Sequence, residues 1–596
     1  MASRNKAPKI ILLFALLLIG FFVFLGVMLM TALKPRDVPS LYTSDTSKAQ
    51  RGNIISADGF HIASTQKLYK AVVNTLNIDP AKRELFVKLF SIYSGMKPNE
   101  IEERLRSRKG SVVLSYHISP KNAQYLKSLA FELRRLNVFV EYTLPGGRSI
   151  LHGLSIVESG ETREYPYGKL LTPVIGYPRK TEEHGYTKNK GVKGIEKQFN
   201  DTLTARQDEE QRALRDVNNY MILNKESMTK AALNGYDVHL NIPVTLQIRV
   251  EKILDRMKAE LEADEVMAVI MESKTGKIRS LASSNRFLPK DIQRSDYPSL
   301  NTNPIEYSFE PGSVLKPITF ALLLKHGKVN PFDLVNGHNG RFKIGRKVIT
   351  DEHKFDWLSA ENVIVHSSNV GIAQLVQKLD AADFYQGLLD FGFTQSSGID
   401  LPYEQKGAIP SLRRLNSEIY KATTAYGYGM RANLIQLVKA YNAFNNGGRM
   451  VTPYITDALI DEHDRSIPIE RDEPRQVIAG ATAERMKKIL IKTVNEGTGE
   501  GAKTPGLEIG GKTGTAHIAE QGQYVHEYNS SFIGFANDAK RRYTIAVTVI
   551  KPRTHHFASL TAVATFKSII DMMVEEGYLK PAEGTPSAAN DVGQRG

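Results

Sequence analysis

At 596 residues, with 41% hydrophobic and 24% charged side chains, the chain has a globular composition and is too long for one core, so two or three domains are expected. Zero cysteines exclude disulfides, Cys-based zinc sites and a lipobox anchor, and the fourteen histidines form no HExxH-type metal spacing. The net charge of +14 would suit a polyanionic neighbour. The basic residues form no long block, however, and no nucleic-acid-binding motif is present, so a solvated basic surface is expected.

Ile10 to Leu33 is an uninterrupted uncharged run of 24 residues, enough to cross a hydrocarbon core of ~30 Å. It exceeds the apolar core of a cleavable signal and no small-residue cleavage site follows, so it reads as a retained anchor. Arg4, Lys6 and Lys9 precede it, which places residues 1–9 in the cytoplasm and the rest of the chain outside. Residues 34–50 read as a polar tether.

From Arg51, RGNIISADGFHIAS predicts two short strands around an Asp58-Gly59 turn. Asp79-Pro80, Lys97-Pro98 and Ser119-Pro120 each open a helix, the last ending near Leu136. SVVLSYHI (111–118) and NVFVEYTL (137–144) read as strands. Residues 34–235 thus mix helix and strand without a catalytic constellation, as a spacer or docking domain would. The stretch 191–203 and the charged run to Arg215 read as its connection to the next domain.

The second domain, 236–580, opens with a strand at YDVHLNI, followed by an amphipathic helix from Pro243 to Glu262. EVMAVIMES and KIRSLAS predict strands joined at Lys274-Thr275-Gly276. LEIGGKTGTAHIA, SSFIGFAND and RYTIAVTVI predict three more, and a helix from Leu560 to Glu576 follows. A mostly helical middle (357–447) between strands implies an α+β architecture, an antiparallel sheet carrying a helical subdomain. Residues 581–596 are small and polar and read as a disordered tail.

Chemistry concentrates at Glu310-Pro311-Gly312-Ser313-Val314-Leu315-Lys316-Pro317. Pro-Gly marks a tight turn, and the apolar ITFALLL after it predicts a helix buried all round. Pro317 fixes the helix start, because proline is tolerated only in the first turn. Ser313 then stands at the positive end of a helix with Lys316 three residues on, the pattern of an activated nucleophile. Ser-x-x-Lys also occurs at Ser3, Ser64, Ser94 and Ser227, but only Ser313 follows a Pro-Gly turn and precedes two further motifs, Ser367-Ser368-Asn369 and Lys512-Thr513-Gly514-Thr515. Ser283-Ser284-Asn285 and Lys274-Thr275-Gly276 carry the same letters in reversed order ahead of the nucleophile, and read as structural. His366, His555 and His556 read as surface or core residues.

The ordered set resembles the penicillin-binding proteins and serine β-lactamases, whose signatures are S-x-x-K, S-x-N and K-T-G. Arg51, Gly52, Ile54, Gly59 and Ala63, with Gly194-Ile195-Glu196, match the pedestal (dimerisation-type) pattern of the class B penicillin-binding proteins. EPGSVLKP, SSNVG, AYGYGM and GKTGTA are similar to the division-specific, FtsI-type branch. The resemblance covers roughly residues 50 to 575. It implies one membrane helix, an elongated α/β pedestal and a serine β-lactamase-like transpeptidase domain.

By that resemblance Ser313 attacks a carbonyl to form an acyl-enzyme and Lys316 is the base, its amine neutralised either by desolvation or by a neighbouring cation, for which Lys512 is the candidate. Ser367 relays a proton, and Asn369 holds the substrate amide. Lys512, Thr513 and Thr515 bind the terminal carboxylate, and Gly514 lets the strand approach the ligand. The backbone N–H groups of Ser313 and Thr515 form the oxyanion hole. The implied substrate is a peptidoglycan stem peptide ending in D-Ala-D-Ala, β-lactams acylate the same serine, and no metal or cofactor is needed. The implied partners are a SEDS-type glycan polymerase and other division proteins; the implied location is the bacterial inner membrane with the catalytic domain in the periplasm. A D,D-carboxypeptidase, an elongation-specific transpeptidase, a β-lactamase-like hydrolase and a non-catalytic scaffold are the alternatives.

Overall fold

A computed structural model describes residues 7–33, 42–143, 149–183, 185–215, 221–225, 227–520 and 523–582. The first six residues, residues 34–41 of the expected tether, Leu144 and the tail from 583 lie outside this description. The chain forms two compact units, Met1–Ser47 with Asp208–Ala232, and Lys48–Gln207 with Leu233–Gly596.

The smaller unit contains a helix, Ala7–Leu33, that starts three residues before the apolar run. Its best 18-residue window has a mean hydropathy of 3.2 and none of it is buried, so it is long and apolar enough to cross a membrane. The same unit contains a sheet in which Tyr42–Ser47 pairs antiparallel with Glu209–Arg215, and Met221–Ile222 and Met228–Lys230 pair with the latter. Two expectations are corrected here. Part of the tether and part of the charged connector are strands, because each satisfies its backbone groups on the other, Thr43 opposite Ala213 and Asp45 opposite Gln211. The Arg212 guanidinium lies over the Tyr42 ring at 5.3 Å.

The larger unit begins with the hairpin Ile54–Ile55 and His61–Asn74, turning at Gly59 with φ +81°. Asp58 in that turn accepts hydrogen bonds from Val244 N (2.9 Å) and Thr245 N (3.2 Å). It thereby caps the helix Val244–Glu260, whose own first position is flanked by a proline that cannot do so. Asp79 and Ser119 cap their helical segments as the sequence implies. Helices Arg83–Ser94, Pro98–Ser107 and Pro120–Arg135 bury Phe86, Phe90, Leu105, Leu126 and Leu133 together. The strand expected at 137–144 is reduced to Tyr142–Thr143. Asn137 takes a left-handed φ of 52°, and after it Val138 and Phe139 pack into that core with only a single antiparallel bridge, Phe139 to Ile78, in place of a longer ladder. Two of the matched pedestal residues, Arg51 and Glu196, meet in a buried cluster with Arg163. Glu196 accepts from Arg51 at 2.7 Å and from Arg163 at 2.6 Å, with all three side chains almost wholly buried.

The strand expected to open the second domain, Asp237–Leu240, joins the pedestal sheet. It runs parallel to Ile54–Ile55 and antiparallel to Thr456–Ile460, a strand contributed from the catalytic half. The second large sheet of this unit has five antiparallel strands in the order Ile278–Ser283, Glu265–Glu272, Arg542–Ile550, Gln523–Asn537, Glu508–Glu520. Its two faces follow the period-2 alternation of strand side chains. Val266, Ala268, Ile270, Val547 and Val549 pack under the helices Val244–Glu260 and Ala562–Glu575. Met267, Val269, Met271, Ala546 and Ile533 face the helical subdomain.

Candidate active site

The turn that carries Ser313 is built from its own glycine and from a neighbouring strand. Gly312 has φ +60°, a conformation that favours glycine, and donates its N–H to the Gly427 carbonyl at 3.1 Å. A 3₁₀ turn over Gly312–Leu315 leads into the helix Lys316–Lys325 with Pro317 in its first turn. Val314, Leu315, Ile318 and Phe320 are fully buried, and the Tyr441 hydroxyl donates to the Val314 carbonyl at 2.6 Å. This anchoring leaves Ser313 half-buried at the cleft and draws Lys316 wholly inside. The strand bearing Lys512 lies flat on the turn. A Cβ at Gly514 would stand 2.9 Å from Val314 Cγ1 and 3.1 Å from the Pro311 carbonyl oxygen, so only glycine fits there.

Ser367 lies between the helices Ala360–Val365 and Asn369–Leu375. Its φ of 60° is left-handed, a strained conformation for serine that the surrounding structure imposes. That turn aims both its carbonyl and its hydroxyl at Lys316. The ammonium donates to the Ser367 carbonyl and lies 3.1 Å from Ser367 Oγ. Ser368 caps the following helix by accepting from Gly371 N at 2.8 Å. Asp351, which the sequence reading did not select, accepts from the N–H groups of Asn369 (2.5 Å) and Val370 (3.0 Å) and from the Ser368 hydroxyl (2.6 Å). No motif marks Asp351. It is identified only by where the strand Lys347–Thr350 delivers it.

Lys512 is also wholly buried. Its Nζ donates to the Thr513 hydroxyl at 3.2 Å, to the Thr513 carbonyl at 3.1 Å, and to the Thr498 hydroxyl at a long 3.5 Å. Thr498, a second residue outside the motifs, shares a 2.7 Å hydrogen bond with the Thr513 hydroxyl. Thr515 Oγ1 accepts from Ala558 N at 3.2 Å. The Asn369 carboxamide donates to the Thr350 carbonyl at 3.1 Å, which fixes its orientation. Ser367 and Lys316 are therefore joined directly, and Gly514 meets the Ser313 turn. Among the described residues no hydrogen bond links Ser313 Oγ to Lys316, as is common before a substrate tightens a catalytic site.

The electrostatics of the two lysines differ from their surroundings in one direction. Burial pushes the Lys316 ammonium down to about 7, against the opposing charges of Asp351 and Glu352. Burial, and after it the charge of Lys316, holds Lys512 well below the ordinary lysine range. Of the two causes the sequence reading allowed for neutralising Lys316, desolvation is the one that lowers it. An amine near neutrality at pH 7 can accept a proton from a serine hydroxyl. The look-alike motifs do other work: Ser283 Oγ donates to Glu265 at 2.6 Å, and Lys274-Thr275-Gly276 is a hairpin turn.

Two family models match the chain. Residues 266–571 match the penicillin-binding protein transpeptidase domain, and residues 46–240 match the penicillin-binding protein dimerisation domain. The chain is a class B penicillin-binding protein. It is similar to the stage V sporulation protein D of Bacillus subtilis, 27% identical over 89% of this chain and 79% of that one. It is also similar to a probable peptidoglycan D,D-transpeptidase PenA of Neisseria meningitidis, 25% identical over 99% and 96% of the two chains. Peptidoglycan D,D-transpeptidase FtsI of Buchnera aphidicola is 26% identical over 79% and 76%. Among solved structures, penicillin-binding protein 2X of Streptococcus thermophilus shares the fold with a TM-score of 0.73 at 20% identity, covering 91% of this chain and 83% of that one. In this class B protein the dimerisation-domain match includes Arg51, Arg163 and Glu196, so the buried cluster belongs to the pedestal.

Proposed function

We propose that the protein is a serine D,D-transpeptidase that cross-links peptidoglycan stem peptides in septal wall synthesis. The observation that carries the reaction is the wholly buried Lys316, near neutrality and in contact with Ser367, one helical turn from Ser313. In the acylation step Lys316 takes the Ser313 hydroxyl proton as Oγ attacks the penultimate D-Ala carbonyl. The amide bond breaks, and Ser367 passes the proton to the departing D-Ala amine. The amine of a neighbouring stem then attacks the ester, its proton returns to Ser313 Oγ through Lys316, and an amide cross-link forms. Lys512, Thr513 and Thr515 receive the terminal carboxylate, whose charge favours the ammonium form of Lys512. Asn369 holds the substrate amide, and the N–H groups of Ser313 and Thr515 face the developing oxyanion.

The helix Ala7–Leu33 anchors the chain once in the inner membrane, with the catalytic domain in the periplasm. The similarity to an FtsI protein supports the septal assignment, and a SEDS-type glycan polymerase is the partner it implies. Recovery of no polymerase with the full chain from detergent extracts would count against that partnership. The reaction is tested by labelling the full chain in detergent with a fluorescent penicillin beside Ser313→Ala. A covalent band that lasts many minutes and is absent from the variant is expected. A band that decays within seconds would mean a hydrolase, and no band from folded protein would mean a scaffold.

A further inference from the structure

The hairpin formed by Arg341–Ile344 and Lys347–Thr350 is amphipathic. Ile344 and Ile349 are buried beneath it, whereas Arg341, Lys343, Arg346 and Lys347 are exposed. Among the described residues none of these four cations is joined to a carboxylate, although ion pairs engage many other basic side chains of the larger unit. Four like charges on so short a hairpin repel one another.

Three ties set this hairpin at the rim of the cleft. Its last carbonyl, Thr350, accepts from the Asn369 carboxamide. The next residue, Asp351, holds the N-terminus of the Asn369 helix. Lys347 lies close enough for its charge to act on the carboxyl of Glu310, three residues before Ser313. Glu352, just past the hairpin, is exposed, and its charge also reaches Lys316 and Lys512.

We propose that this hairpin recognises a carboxylate that the donor peptide carries upstream of its C-terminal D-Ala-D-Ala, beyond the amide held by Asn369. The inference rests on the transpeptidase reading above. A donor fixed at its C-terminus by Lys512 and at its amide by Asn369 comes beside the cationic hairpin, because the Asn369 carboxamide is itself held by the hairpin's Thr350 carbonyl. Long exposed side chains suit a negative group whose position varies by a few ångströms, and the attraction is screened by salt.

The test uses the full chain and two peptides ending in D-Ala-D-Ala that differ only in glutamate or glutamine two residues upstream. For the wild type, kcat/KM for the glutamate peptide is expected to exceed that for the glutamine peptide by roughly fivefold at low salt, a difference that shrinks as salt is added. In Arg341→Gln/Lys343→Gln/Arg346→Gln/Lys347→Gln the two peptides become equal. Benzylpenicillin acylation, in which no upstream carboxylate takes part, stays within twofold. The milder Lys343→Gln/Arg346→Gln, altered at two of the four positions, gives a partial loss on the glutamate peptide alone. Equal rates for both peptides in the wild type, or an equal loss on both in either variant, would overturn the proposal. Failure of the wild type to be labelled by penicillin at Ser313 would instead remove the transpeptidase reading on which it stands.

Discussion

Two buried charge clusters sit in the same compact unit and follow opposite rules. In the pedestal, Glu196 lies between Arg51 and Arg163 with every side chain hidden from water. Burial pushes its carboxyl up, and the two guanidinium groups more than reverse this, leaving it below its ordinary value. In the catalytic cleft, Lys316 and Lys512 are equally hidden but share a sign, and burial drives both down. Compensation fixes a protonation state and makes a charge structural. Burial without a matched counter-ion brings an amine to neutrality and makes it chemical.

The largest effect is expected from Lys316→Met, which replaces the buried amine by an apolar chain of similar length. Acylation by penicillin should fall by about 10³-fold. The melting temperature should rise by a few degrees, because a costly buried cation has been removed. A fall in both would contradict the account. Glu196→Gln breaks the compensated cluster and leaves two buried guanidinium groups without their carboxylate. A loss of about 3–5 kcal/mol in unfolding free energy is expected by denaturant titration, with an unchanged acylation rate in the protein that remains folded.

The contrast also sharpens with pH. Lys316 has a folded value of about 7 against an ordinary 10.5, so the unfolded chain binds more protons between those limits. Its destabilising contribution is full below about pH 7 and is relieved as pH rises towards 10.5. The stability difference between Lys316→Met and wild type should therefore shrink across that window, by at most about 1.4 kcal/mol per pH unit. The smallest effect concerns Asp351, which joins cap to chemistry. Asp351→Asn should cost about 1 kcal/mol through the helix start it caps. It should also move the acylation midpoint lower in pH, because the charge that favours the Lys316 ammonium has gone.

Much of this arrangement was legible in the sequence because its signals are local. Asp79-Pro80 and Ser119-Pro120 carry both a cap and a first-turn proline, and the structure starts helical segments at both. The turn before Ser313 needs glycine and the helix after it is apolar on all sides, which separated it from four other Ser-x-x-Lys sequences. What the sequence did not reveal depends on partners far along the chain. Tyr42–Ser47 is polar enough to read as a tether, and becomes a strand only because Glu209–Arg215 lies beside it. NVFVEYTL alternates like a strand, yet Val138 and Phe139 are drawn into a helical core. Asp237–Leu240 was recognised as a strand but not as a member of the pedestal sheet, since its neighbours come from both ends of the unit. Asp351 and Thr498 belong to no motif, and only the packing of a hairpin and a helix end brings them to Asn369 and Thr513.

The central claim is that a buried, near-neutral Lys316 takes the proton from Ser313. The most direct measurement is the second-order rate of penicillin acylation of the full chain from pH 5 to 10, by stopped flow. The account expects a single rise with its midpoint near pH 7, as the ammonium of Lys316 becomes an amine, and its loss in Lys316→Met. A midpoint near 10, or a rate that is flat across neutrality, would contradict it.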